Sequence, residues 1–382
     1  MGKAKMRNDR LLLCLGLVSA LILSDYGDVS RARAQGDSIP TIDANSFERA
    51  VQRLRKETDA HAVIAGIWIG DRNISQVALG ESMAGVPATT EMTVRIGGVS
   101  QLFFGTMLMR VVEREEIALD DKISTWLPDL LAADKVTVGM LANNTAGYKD
   151  FVRDEGFQKQ VTEAPFRTFT REELIAISVG GNELNFEPGT AQAYSHTEFI
   201  LLREVLEKAT GRSIEELYQT EVLDPLGLTR TGYQTTPELP APVLHAFSSD
   251  RAVYEDSTFW NPSWASDSGP LYSTLGDQGK WGPAFGQGRL LTPAAFVQLT
   301  KRPDGAPPTG PYFATGFVVS NGWYFHNPNF NGYTGALGYN SDLDMTIVVY
   351  ATQPEDPKVV HPGFEVFKGL VEEFAPNHPL GI

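Results

Sequence analysis

Strand-forming segments stand at the two ends of this chain with a long helical stretch between them, so any sheet it builds must join residues far apart in sequence. Ala62 to Gly70 and Ser75 to Gly80 are apolar runs flanking a polar turn, which predicts two strands near the start. From Leu102 to Glu207 helical patterns alternate with loops. Strand patterns return at Tyr312 to Val319, Trp323 to His326 and Met345 to Tyr350. Phe47 to Lys56 predicts a first helix, and Glu365 to Phe374 closes the chain as an amphipathic one. The implied class is α+β: an antiparallel sheet flanked by helices, with a mainly helical subdomain inserted into it. With 42% hydrophobic and 21% charged residues the chain has the composition of an ordinary globular protein with a large core.

The N-terminus has the form of an export signal. Lys3, Lys5, Arg7 and Arg10 precede the apolar run Leu11 to Leu23, and Ala32-Arg33-Ala34 offers a small-residue cleavage site. The expected organisation is a signal peptide over 1–34, a linker over 35–45 and one domain over 46–382. That places the protein in the periplasm, the cell envelope or the extracellular space, with retention of the signal as an anchor the alternative. Cys14 is the sole cysteine and lies inside the signal, which leaves a mature chain without disulfides, a cysteine nucleophile or thiolate metal ligands. Residues 1–34 carry six Lys or Arg and three Asp or Glu, so their removal takes the net charge from −15 to −18. A surface this acidic argues against nucleic acid as a partner. The six histidines, His61, His196, His245, His326, His361 and His378, show no metal-ligand spacing, and no cofactor or phosphate-loop motif is present.

One segment concentrates the functional question. Thr93-Val-Arg-Ile-Gly-Gly-Val-Ser-Gln-Leu-Phe-Phe104 runs into an apolar stretch and then Leu119-Asp120-Asp121. It resembles the class C beta-lactamase and D-alanyl-D-alanine carboxypeptidase superfamily of serine hydrolases, penicillin-binding-protein-like, whose nucleophile helix opens in this way. Further segments resemble the family in the same order. They are Val136 to Gly147, Phe186 to Thr190 with Ala193-Tyr194-Ser195-His196, Gly211 to Leu217, Asp224 to Gly232, the group Ser273-Thr274, Asp277 and Trp281, and Gly332 to Tyr339. The resemblance spans nearly everything from Phe47 to Phe374. It implies the beta-lactamase/transpeptidase-like fold.

It also implies a damaged active site. Where the family carries Ser-x-x-Lys this chain has Gly98-Val99-Ser100-Gln101, so Gly98 stands for the nucleophile and Gln101 for the base. Serine and lysine three apart on a helix share a face, roughly 5–6 Å between Cβ atoms. Glycine supplies no hydroxyl, and the glutamine amide takes no proton near neutral pH. Ser100 is a poor replacement, since two helical positions turn a side chain about 200° from the pocket face. Tyr194 keeps the family's phenol position, where its role would now be vestigial. His196 replaces the asparagine of Tyr-x-Asn, and an imidazole can act as a base. Tyr333-Thr334-Gly335 is matched to the His-Thr-Gly or Lys-Thr-Gly strand without its histidine or lysine. It reads otherwise as a plain edge strand lining a cleft. By resemblance the backbone N–H groups of Gly98 and Ala336 would form an oxyanion hole, and donors of that kind need no particular side chain. Asn144 and Ala146 also replace the family's histidine and serine. Lys149 reads as solvated, and Trp260, Trp264 and Tyr272 as groove-lining or buried aromatics.

The leading expectation is an exported relative without catalysis, whose cleft still takes a small or peptide-like carbonyl ligand or an envelope protein partner, with Gly98, His196, Tyr333, Thr334, Gly335 and Ala336 as the ligand-binding set. The alternative is a divergent active hydrolase of esterase, beta-lactamase or D-amino-acid peptidase type. It would use Ser100, or a water activated by Tyr194 and His196. A third reading is a structural or regulatory envelope protein that works through its surface.

Overall fold

A computed structural model describes residues 42–265 and 267–382. The expected signal and residues 35–41 of the expected linker lie outside the described residues. Helix α1 (Ala44–Thr58) starts at once, its first turn capped by the Asp43 carboxylate, which accepts the Ser46 amide at 2.8 Å. Strands β1 (Ala62–Ile69), β2 (Arg72–Met83) and β3 (Val86–Pro87) follow, then β4 (Thr93–Arg95), which pairs in a separate small sheet. The apolar helix α2 (Ser100–Glu113) comes next, entered through a tight turn over Gly97–Val99.

The middle of the chain is helical, as expected. It contains α3 (Val138–Ala142), α4 (Glu155–Glu163), α5 (Arg171–Val179), α6 (His196–Thr210), α7 (Ile214–Tyr218) and α8 (Asp224–Leu226). Short strands β5 (Gly232–Tyr233), β6 (Phe247–Ser248), β7 (Glu255–Asp256) and β8 (Leu271–Thr274) return the chain to helices α9 (Leu275–Gly286) and α10 (Pro293–Thr300). The C-terminal part supplies β9 (Tyr312–Phe313), β10 (Val318–Ser320), β11 (Trp323–His326), β12 (Asn329–Phe330), β13 (Tyr333–Asn340), β14 (Met345–Thr352) and helix α11 (Pro362–Phe374).

The main sheet runs β3-β2-β1-β14-β13-β11-β10-β9, with β12 also on β13, and its pairings are antiparallel. Early and late segments of the described residues therefore meet at the β1–β14 ladder, in register from Ala62 opposite Thr352 to Ile69 opposite Met345. One sheet face packs Val63, Ala65, Ile67, Ile347 and Val349 against Phe47 and Val51 of α1 and Phe367 and Leu370 of α11. The other face packs Ile64, Leu337, Val348 and Tyr350 toward α2 and α9. Helix α2 is apolar on nearly every side because it lies between this sheet and the helical subdomain. Phe103 of α2 stacks on Trp281 of α9 with centroids 3.9 Å apart and an interplanar angle of 18°.

One expectation is corrected. The segment Tyr333-Thr334-Gly335 is no edge strand, since β13 lies between β14 and β11 and every residue from 333 to 340 is buried. Both its ladders are filled and helix α11 covers it, with the Gly363 amide donating to Thr334 Oγ1 at 2.9 Å.

Because Trp281 joins α9 to α2 in the layer beneath the cleft, Trp281→Ala is expected to lower unfolding free energy by about 3–5 kcal/mol. Urea denaturation should show a shifted midpoint at unchanged slope.

Candidate active-site cleft

Four segments converge where the nucleophile helix begins. The Gly97–Val99 turn delivers Gly98, the N-terminus of α6 delivers His196 just after Tyr194, β11 ends at His326, and Trp264, Ala265, Ser268 and Gly269 close over them. They enclose a cavity of about 90 Å³ lined also by Asp150, Arg153, Asn327, Asn329, Phe330 and His361.

Gly98 is in the cleft as expected, but the space beside it is taken. A β-carbon built on Gly98 would lie 2.5 Å from both Cε1 and Nδ1 of His326 and 2.7 Å from the Asn327 carbonyl oxygen. A serine cannot be added there without moving the imidazole and the backbone behind it. The His326 ring is only 3% exposed, and burial lowers its pKa to about 4. Its Nδ1 lies 2.8 Å from the Asn327 amide nitrogen and 3.1 Å from the Asn327 carbonyl oxygen, while Nε2 is buried without a partner.

Gln101 is fully buried directly beneath the cleft. Its amide nitrogen donates to the Tyr194 phenol oxygen and, at 2.9 Å, to the Ser268 carbonyl, while its Oε1 has no partner. The glutamine thus ties the first two motifs and the covering loop together without charge. Burial pushes the Tyr194 pKa above the usual phenol range, against the opposing effect of the Gln101 hydrogen bond. A cation would favour the phenolate; an amide dipole does so far less, so the phenol keeps its proton at neutral pH.

Ser100 is buried and turned toward β8, where its Oγ accepts the Leu271 amide at 3.1 Å. Asn144, in a left-handed conformation with φ 59°, accepts the Ser195 amide on Oδ1 at 2.6 Å. It pins the segment carrying Tyr194. Lys149 pairs with Glu183 at 3.2 Å on the surface. Trp260 is buried, and Trp264 stacks on Phe330 at 5.2 Å and lines the cleft. Tyr272 sits in β8, away from it.

The third motif falls elsewhere than expected. Tyr333, Thr334, Gly335 and Ala336 are all interior and none lines the cavity. The Tyr333 hydroxyl bonds the Leu244 carbonyl, and Ala336 packs in the layer beneath α11. The strand that flanks Gly98 is β11, and the histidine absent at 333 is present as His326 at its end. The oxyanion-hole partner expected at Ala336 is therefore not at the cleft.

Three further groups had no legible role in the sequence. Asp150 lies 3.0 Å from His196 Nδ1. Glu198, fully buried, accepts the amides of Gly147 at 2.9 Å and Tyr148 at 3.1 Å, and burial raises its pKa well above the carboxylate range despite those donors. His361 immediately precedes α11 and lines the same cavity, its pKa lowered by burial.

Residues 47–365 match the family model described as Beta-lactamase. The chain belongs to the beta-lactamase family. Penicillin-binding protein 4 of Amycolatopsis lactamdurans is 24% identical over 321 residues, 79% of each chain. A D-aminopeptidase of Gluconobacter oxydans is 27% identical over 225 residues, 56% of this chain and 40% of that protein's length. Among solved structures, a D-stereospecific amidohydrolase from Streptomyces sp. superposes with a TM-score of 0.76 at 24% identity, covering 88% of this chain and 99% of that one. That likeness is one of fold.

His326 links the cleft to acid stability. Its folded-state pKa lies below the unfolded value near 6.5, so the stabilisation it gives is complete above pH 6.5. It is lost as pH falls toward 4, by roughly 3 kcal/mol, because the unfolded chain takes the proton first. His326→Gln should flatten the stability profile over that window in urea titrations, whereas a variant profile parallel to the parent would assign the acid sensitivity to other groups.

Proposed function

We propose that this is an exported member of the beta-lactamase family in which acyl-enzyme chemistry has been lost and the cleft retained to hold a carbonyl-bearing, peptide-like ligand. The observation that carries the reading is the contact between Gly98 and His326, where the space a nucleophile would use is occupied by a neutral imidazole. Gln101 supports it by replacing a proton acceptor with a buried structural amide. Ser100, the one nearby hydroxyl on the helix, faces away from the cavity and serves Leu271.

The ligand class is suggested by the relatives, named as a penicillin-binding protein and a D-aminopeptidase, and by a lining that mixes Asn327, Asn329 and Arg153 with Trp264 and Phe330. Such a mixture suits a small molecule with polar backbone-like groups and an apolar side chain. Export rests on the composition of residues 1–34. No helix among the described residues is long and apolar enough to cross a membrane.

Incubation with a fluorescent penicillin followed by intact-mass measurement should give no adduct on the parent protein. The double variant Gly98→Ser/Gln101→Lys should also give none, because His326 and the Asn327 carbonyl still fill the site. A stable adduct on the parent would sink the proposal. An adduct on the double variant alone would mean that the cleft is still organised for acyl transfer.

A further inference from the structure

One pair of groups in the cleft has no part in the chemistry that was lost, yet it is closely built. The Asp150 side chain is 6% exposed and accepts the backbone amides of Val152 at 3.1 Å and His196 at 3.3 Å. Its two oxygens lie 3.1 and 3.0 Å from His196 Nδ1. A carboxylate can only accept, so Nδ1 carries the ring proton and Nε2 the lone pair. The imidazole is further held by the rings of Tyr194 at 4.9 Å and 90°, Phe151 at 5.9 Å and Trp264 at 6.4 Å. No protein group among the described residues hydrogen-bonds Nε2, and His196 lines a cavity of about 90 Å³ that has room for water.

A buried carboxylate orienting an imidazole beside a water-sized space is the arrangement of a general base with its positioning group. We propose that the cleft hydrolyses small, uncharged carboxylic esters by direct attack of water, with His196 as the base, Asp150 as its positioning residue and no covalent intermediate on the protein. The inference goes beyond the binding reading and shares with it only the absence of an acyl-enzyme.

In the first step His196 Nε2 takes a proton from water as the water oxygen bonds to the ester carbonyl carbon, and the carbonyl π pair moves onto its oxygen. In the second, that pair re-forms the carbonyl, the C–O bond to the alcohol breaks, and the leaving oxygen takes the proton back from Nε2. Asp150 exchanges no proton in either step, and ester plus water become acid plus alcohol. Arg153 lines the same cavity and makes no ion pair among the described residues, so it is a charged donor available to the developing oxyanion.

The preferred acyl group follows from the neighbouring hollow. It measures about 150 Å³, shares Trp264 and Asn329 with the cleft, and is walled by Val152, Phe157, Val161 and Trp260. A short apolar acyl chain passing Trp264 would lie in it.

The test is steady-state hydrolysis of 4-nitrophenyl acetate and 4-nitrophenyl butyrate by the purified full chain. Turnover should be without a burst, without a mass adduct, and faster for butyrate. His196→Ala should lose about 100-fold or more in kcat/KM and regain activity when free imidazole is added, a rescue that also reports an intact fold. Asp150→Asn should lower kcat by about 10-fold or more at nearly constant KM, as expected for misorientation of the base. His245→Gln, which breaks a second His–Asp pair at 2.6 Å outside the cleft, should leave the rate unchanged. Three results would each overturn the proposal: a parent rate no higher than that of equimolar free imidazole, an unchanged rate in folded His196→Ala, or a burst that carries an acyl adduct.

Discussion

The cleft depends on a steric closure between Gly98, the middle residue of the turn into α2, and His326, the last residue of β11. With a hydrogen in place of a side chain at position 98, the imidazole of His326 comes within 2.5 Å of where a β-carbon would stand. The ring is buried there, and burial lowers its affinity for a proton. The same closure lets Gln101 act as a linchpin, since a neutral amide can sit under the cleft bridging Tyr194 and Ser268, where an unpaired ammonium would carry a heavy desolvation cost. The changes at 98 and 101 are thus two parts of one repacked site.

Around that site buried polar contacts hold the scaffold in place. Glu198 holds the backbone of residues 146–148 against α6, and Asn144 holds the backbone at Ser195. These interactions fix the segment from Tyr194 to Glu198 against residues 144–148, while Gln101 ties Tyr194 to the start of α2. The walls of the cleft are thereby ordered enough to orient the His196 imidazole against Asp150.

Much of the fold was legible in the sequence because periodicity reports it directly. The split sheet, the apolar helix α2 and the closing helix α11 all follow from runs whose apolar spacing matches one element type. The place of β13 did not follow. A strand buried on both faces has no alternation to distinguish centre from edge, and its Thr-Gly pair drew the third motif seven residues too far along, from His326 to Tyr333. Positions 98 and 101 were readable because the segment from Thr93 to Phe104 resembles the family's Ser-x-x-Lys segment. Asp150 and Glu198 were not, since an acidic residue in a polar segment looks solvated until the chain folds. Asp150 lies 46 residues from His196, a separation that no local pattern bridges.

A double-mutant cycle between positions 98 and 326 tests the closure most directly. Urea unfolding would be measured for the parent, Gly98→Ser, His326→Ala and the double variant. If the two sites share one space, the serine should be clearly less destabilising once the imidazole is removed, with a coupling energy of about 1 kcal/mol or more. Effects that add to within about 0.5 kcal/mol would contradict the closure and reopen the site to a conventional nucleophile.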